Sequence, residues 1–166
     1  MVEQFNPTWV LQMADILVYE VLDQMAGIRI VNSSEQTVAE TDMSTVYGFV
    51  DGEYRMQLQF RADPKMFGRF AENMMGRSPE EEDIRDYAEE FFNVLCGRFV
   101  SEIYRTTQLK AQFLPTKYGK PYKELKEEEK EISCTRYFVS EDRERAEFSW
   151  SVALSENDIE VQNNET

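Results

Sequence analysis

A chain of 166 residues, 42% hydrophobic and 13% aromatic, is long enough to bury the core of one domain, which excludes wholesale disorder. Its 32 acidic against 18 basic residues leave a formal net charge of -14, which excludes nucleic acid and anionic membrane surfaces as natural partners and favours a partner with a basic patch. The chain has no histidine, so Ser-His-Asp and Cys-His chemistry in their usual forms and His-ligated zinc are excluded as well.

Cys96 and Cys134 stand far apart without CxxC spacing and read as small buried apolar residues suited to a reducing cytosol. Met1 to Phe5 carry no basic segment, and no apolar run is long enough to span a bilayer. The expectation is a soluble cytoplasmic protein: a single domain over residues 1–155 and a polar tail over 156–166.

Along the chain, Asn6 is placed to cap a first helix, Pro7 to take its first position and Gly27 to end it. Between them Trp9, Val10, Met13, Ile16, Leu17 and Val21 recur at helical spacing as its buried face. Ile28 to Val31 is a short apolar run, predicted as a strand, and Asn32 to Ser44 is a polar loop or weak edge strand. Thr45 to Val50 leads into Asp51-Gly52, a dipeptide suited to a tight type I′ hairpin, whose two central residues need positive φ. On the returning strand Tyr54, Met56, Leu58, Phe60 and Ala62 alternate with Glu53, Arg55, Gln57, Gln59 and Arg61. One buried and one wet face indicate an antiparallel sheet.

Asp63-Pro64 opens a second helix that Gly76 closes. Ser78-Pro79-Glu80-Glu81 has the form of a capping box for a third, running to about Arg105. A strand is predicted near Leu109 to Leu114. The charged stretch Lys117 to Glu131 reads as a solvated loop. Two further strands follow, Ile132 to Val139 and an alternating run from Ala146 to Leu154. The order of helix, strands, two helices and strands is that of an α+β fold, with long helices packed on an antiparallel sheet.

The third helix carries the functional signal. At about 100° per residue, Ile84, Ala88, Phe91, Phe92, Leu95, Phe99 and Ile103 gather on the core face. Asp86, Glu90, Asn93 and Gly97 fall in one line on the opposite face. Glycine inside a helix costs about 1 kcal/mol relative to alanine, so Gly97 points to close approach by another backbone, a partner's or the chain's own. Exposed acids and amides on a helix are by themselves ordinary.

The stretch Asp86-Tyr87-Ala88-Glu89-Glu90-Phe91-Phe92-Asn93 resembles the (Asp or Ser)-x3-Glu-x2-Asn pattern of the CheC/CheX family of chemotaxis phosphatases. Ala71-Glu72-Asn73-Met74-Met75-Gly76 is similar to the end of that family's preceding helix, and Asn93-x3-Gly97 to the glycine that follows its glutamate. The layout from the Asp51-Gly52 turn onward also resembles CheX. What the resemblance implies is hydrolysis of the aspartyl phosphate of a CheY-type response regulator. Asn93 would orient the attacking water and Glu90 would contact the regulator's lysine. Asp86 and Gly97 would lie on the partner-binding surface, and Mg2+ would be the regulator's rather than this chain's own. The family often has a small residue before the asparagine; here it is Phe92, which the wheel turns toward the core.

The first helix holds a faint echo, Glu20-x2-Asp23-x3-Gly27, with Ile16 at the place equivalent to Asp86. It would be a degenerate second site left by internal duplication. The resemblance also implies a homodimer joined through its sheets, and the hydrophobic run Ala146 to Leu154 would be a hazardous edge if unpaired. Two other readings stand beside the phosphatase: a non-catalytic CheX-like binding or adaptor module, and an acidic secretion-chaperone-like protein whose charge and methionines would fit a sticky partner-binding surface, although the core is the more ordinary place for those methionines.

Overall fold

The computed structural model describes residues 6–34, 42–121 and 123–154. The predicted tail over 156–166 and most of the polar stretch after Ser34 lie outside the described residues.

The first helix forms as its caps dictate. In α1 (Pro7–Ala26) the Asn6 carboxamide accepts the Thr8 amide at 2.9 Å, and Gly27 ends the helix in the left-handed region at φ 65°. Val10, Met13, Leu17 and Val21 are buried as expected, but Ile16 is 56% exposed. It stands on the flank of α1, over a groove that Asp15, Tyr19, Ile30 and Phe138 also line.

The strands are β1 (Ile30–Asn32), β2 (Ser44–Gly52), β3 (Tyr54–Ala62), β4 (Ala111–Phe113), β5 (Lys117–Tyr118), β6 (Ile132–Ser140) and β7 (Arg145–Leu154). They make one antiparallel sheet in the order β1-β6-β7-β3-β2-β4, with β5 also pairing β2. β3 alternates buried and half-buried along its whole length, as the sequence pattern requires. β7, whose hydrophobic run would be hazardous if unpaired, is paired on both sides, by β3 and β6.

The hairpin between β2 and β3 is not of type I′. Among the described non-glycine residues only Gln108 and Arg143 have positive φ, so Asp51 does not take the required conformation. Asp51 and Gly52 instead end β2, paired with Gln112 and Ala111 of β4, with Gly52 at φ 157°, and the Glu53 amide donates to the Lys110 carbonyl at 2.8 Å. A Cβ on Gly52 would lie 2.6 Å from the Lys110 carbonyl oxygen, so the glycine serves close backbone approach.

Two helices complete the layer. α2 (Pro64–Met75) is capped by Asp63 and ended by Gly76 at φ 72°. α3 (Glu81–Thr107) starts two residues later than the Ser78 box would have it. The Asp83 carboxylate accepts the Glu80 amide at 2.9 Å, a capping box displaced along the chain by a run of carboxylates that all suit a helix N-terminus. The charged stretch after β5 is mostly exposed, but it is not a free loop. Leu125 is buried with Phe49 and Ala153 on the far side of the sheet, and the Leu125 amide donates to Gln57 at 2.8 Å.

Elsewhere on the far side the sheet is tied by Ser133 to Ser151 at 2.9 Å, Thr135 to Ser149 at 3.0 Å and the ion pair Arg61 to Glu147 at 3.3 Å. At one end, Arg69 of α2 grips Glu144 at 2.6 Å, with Ser140 donating to the same buried carboxylate at 2.7 Å. That pairing holds the Arg69 guanidinium above its ordinary pKa and locks α2 to the β6–β7 turn.

The core lies between the sheet and the helices. Phe91, Phe92, Leu95, Cys96 and Phe99 of α3 pack on it, with Phe91 edge-on to Phe60 at 5.1 Å and Phe99 against Phe148 at 5.3 Å. Phe92 is fully buried, as the wheel requires. Burial pushes the Cys96 thiol well above its ordinary pKa, so this sulfur behaves as an apolar filler. Cys134 is half-buried rather than fully so.

Gly48 of β2 lets α3 sit this close. A Cβ there would be 2.6 Å from the Cys96 sulfur and 3.1 Å from the Phe92 ring. Gly48→Ala is expected to cost about 1–3 kcal/mol through overpacking. Adding Cys96→Ala to it should restore more stability than the two single changes predict, as read from urea unfolding of the four proteins in the cycle.

Candidate functional site

The outward stripe of α3 is formed as the sequence arranges it. Asp86 and Glu90 are exposed, Asn93 and Gly97 half-buried. At about 1.5 Å per residue the stripe is roughly 16 Å long. Among the described residues neither Asp86 nor Glu90 has a side-chain partner, so both carboxylates are open to an incoming molecule. No helix of the described residues is long and apolar enough to cross a membrane, and no group of three or more Cys, Asp or Glu side chains among them is placed to hold a metal ion.

Asn93 is not bare. The segment from β4 to β5 lies alongside α3 and touches it at three successive turns. Phe113 stands over Gly97, its ring 3.4 Å from where a Cβ would be. The Thr116 amide donates to the Asn93 carboxamide oxygen at 3.2 Å, and the Thr116 hydroxyl donates to the Glu89 carbonyl at 2.7 Å. The Tyr118 amide donates to the Glu89 carboxylate at 3.2 Å. Thr116 is 2% exposed. A backbone N–H can meet only the oxygen of an amide side chain, so the Asn93 carbonyl is turned inward. Its NH2 has no partner among the described residues and is left for solvent or a ligand.

The close approach expected at Gly97 is therefore that of an aromatic ring of the chain's own β4, not a backbone. At 3.4 Å the ring leaves ordinary contact room for a methyl group, so packing within this chain does not demand glycine.

The echo in α1 is arranged differently. Glu20 is bound to Arg98 of α3, and Asp23 lies 3.9 Å from Arg29. Gly27 caps its helix, whereas Gly97 lies inside one. Among the described residues the methionines do not form an exposed surface: Met13, Met56 and Met66 are buried, and Met25 and Met74 pack against the core.

Thr116, Glu89 and Phe113 were not singled out from the sequence. They lie 16 to 27 residues from the α3 groups they touch, or on the flank of the stripe, and carry no motif.

No family model matches the chain, and no curated protein matches it in sequence. Solved structures do match. A CheX chemotaxis protein from Desulfovibrio desulfuricans superposes with a TM-score of 0.66 at 13% identity, over 87% of this chain and 97% of its own. CheX from Borrelia burgdorferi, in a complex with CheY, BeF3 and Mg2+, gives 0.65 at 12% identity, over 86% and 97% of the two chains. CheX from Vibrio vulnificus gives 0.63 at 19% identity, over 82% and 91%. With three α-helices packed on one antiparallel sheet among the described residues, this chain has the fold of the CheC/CheX chemotaxis proteins.

Proposed function

We propose that the chain is a phosphatase for the aspartyl phosphate of a CheY-type receiver. The observation that carries this reading is the free NH2 of Asn93 one turn from the unpaired Glu90 on the open face of α3. A structural neighbour in complex with CheY, BeF3 and Mg2+ supports the kind of partner.

In the reaction, the α3 face docks over the phosphorylated aspartate. A water oxygen forms a bond to phosphorus in line with the departing carboxylate. The P–O bond to the aspartate breaks, the carboxylate leaves with the electron pair, and the water's proton ends on the released phosphate. Such a reaction needs positioning and charge neutralisation more than covalent help. Asn93 holds the water by hydrogen bonding without acting as a base. Glu90 pairs with the receiver's active-site lysine, and Asp86 extends the same docking surface. Mg2+ is assigned to the receiver, where it neutralises the phosphoryl oxygens.

The test is decay of a phosphorylated CheY-type receiver in Mg2+ with and without this protein. Wild type should accelerate phosphate loss, and Asn93→Ala should return it to the receiver's own rate. Glu90→Ala should raise KM roughly tenfold or more, the worth of a charge-assisted contact. No acceleration with several receivers that nonetheless bind α3 would leave a docking module instead of an enzyme.

Gly97 adds an independent prediction. Gly97→Ala should stabilise the chain by up to about 1 kcal/mol, because the helix gains propensity and Phe113 leaves room. The same methyl should weaken receiver docking, seen as a raised KM. A stabilised variant with unchanged KM would remove Gly97 from the docking surface.

A further inference from the structure

The segment beside α3 is sewn to the sheet over its whole length. β4 pairs residues 111–113 with Gly52, Asp51 and Val50. The Leu114 amide donates to the Phe49 carbonyl at 2.7 Å, β5 pairs Lys117 and Tyr118 with Tyr47 and Val46, and the Gly119 amide donates to Thr45 at 2.9 Å. The Tyr118 ring stands edge-on to Phe67 of α2 at 5.9 Å. A strand fixed at so many points is a rigid strut, not a lid.

That strut brackets Asn93. Thr116 reaches the Asn93 side chain with its amide and the Glu89 carbonyl with its hydroxyl. The Glu89 carbonyl is the one an α-helix pairs with the Asn93 N–H, four residues on. Glu89 in turn holds the strut by accepting the Tyr118 amide.

We infer that Thr116 and Glu89 are positioning residues, which lock the Asn93 carboxamide with its oxygen turned into the protein and its NH2 turned out as a pre-oriented donor. The catalytic use of that lock rests on the function proposed above. A freely rotating amide would present oxygen or nitrogen with similar ease. A locked one presents a donor, which suits an acceptor: the oxygen of a bound water or a phosphoryl oxygen. Thr116 touches no substrate and acts through Asn93.

The experiment uses the full chain and two readouts. The first is hydrogen exchange of the Thr116 amide, followed by NMR. It should be protected in wild type and in Asn93→Asp, whose carboxylate still accepts the bond, and should exchange roughly tenfold faster in Asn93→Ala. The second is turnover of a phosphorylated CheY-type receiver. Thr116→Val, of similar shape but without the hydroxyl, should lower kcat roughly tenfold at unchanged KM, and Thr116→Ser should keep the wild-type rate.

Equal exchange of the Thr116 amide in wild type and Asn93→Ala overturns the lock. The backbone N–H that meets Asn93 is present in all three proteins, so wild-type kcat in Thr116→Val overturns the catalytic role of the Thr116 hydroxyl, as does a loss in Thr116→Val that Thr116→Ser shares. If wild type turns over no receiver, the proposed function falls, and the exchange comparison alone decides whether the amide is held.

Discussion

The Cys96 sulfur and the Phe92 ring occupy the space a side chain at position 48 would need, and that contact sets the height and rotation of α3 on the sheet. With Phe91, Leu95 and Phe99 packed beside them, the helix has one deep apolar face and no freedom to roll. The opposite stripe, Asp86 to Gly97, inherits its orientation from this burial. The bulk of Phe92, next to Asn93 in sequence, is spent in the core, so it does not crowd the outward side.

The second constraint comes from β2, which is shared. On one side it pairs with β3 across a full-length ladder, and on the other it holds β4 and β5 in succession. The same strand that receives α3 at Gly48 therefore also carries the strut that reaches Asn93 and Glu89. Helix and strut are registered to one backbone, which is how a half-buried amide can be held with few contacts. The two sides of the site are built differently as a result: Glu90 is an open carboxylate able to swing toward a partner, while Asn93 is constrained. In the proposed reaction, a positioned amide and an adaptable anion would divide the tasks of orientation and docking.

The echo in α1 shows how the same residue spacing loses its meaning in another setting. Glu20 faces Arg98 across the α1–α3 contact and is neutralised there, and Gly27 serves as a helix cap. Only Glu20 of the three helps join two helices; Asp23 lies beside Arg29, just past the end of its own helix.

Much of this was legible in the sequence because it is local. Asn6, Gly27, Asp63 and Gly76 mark helix ends through bonds to residues a few positions away, and the alternation of β3 and the core face of α3 follow from one period each. The stripe Asp86, Glu90, Asn93, Gly97 is a property of helix geometry and needed only the helix to exist. What the sequence misjudged were places where a distant strand intervenes. Asp51-Gly52 reads as a tight turn, but its residues end β2, paired with β4. Leu125 lies in a charged run yet is drawn under the sheet by Phe49 and Ala153. The link between Thr116 and Asn93 joins residues 23 apart through no shared pattern and exists only because β2 brings β4 and β5 alongside α3. Local periodicity thus determined which groups face outward, and only the tertiary pairing decided which of them is held still, because a hydrogen bond across the sheet leaves no trace in the spacing of either partner.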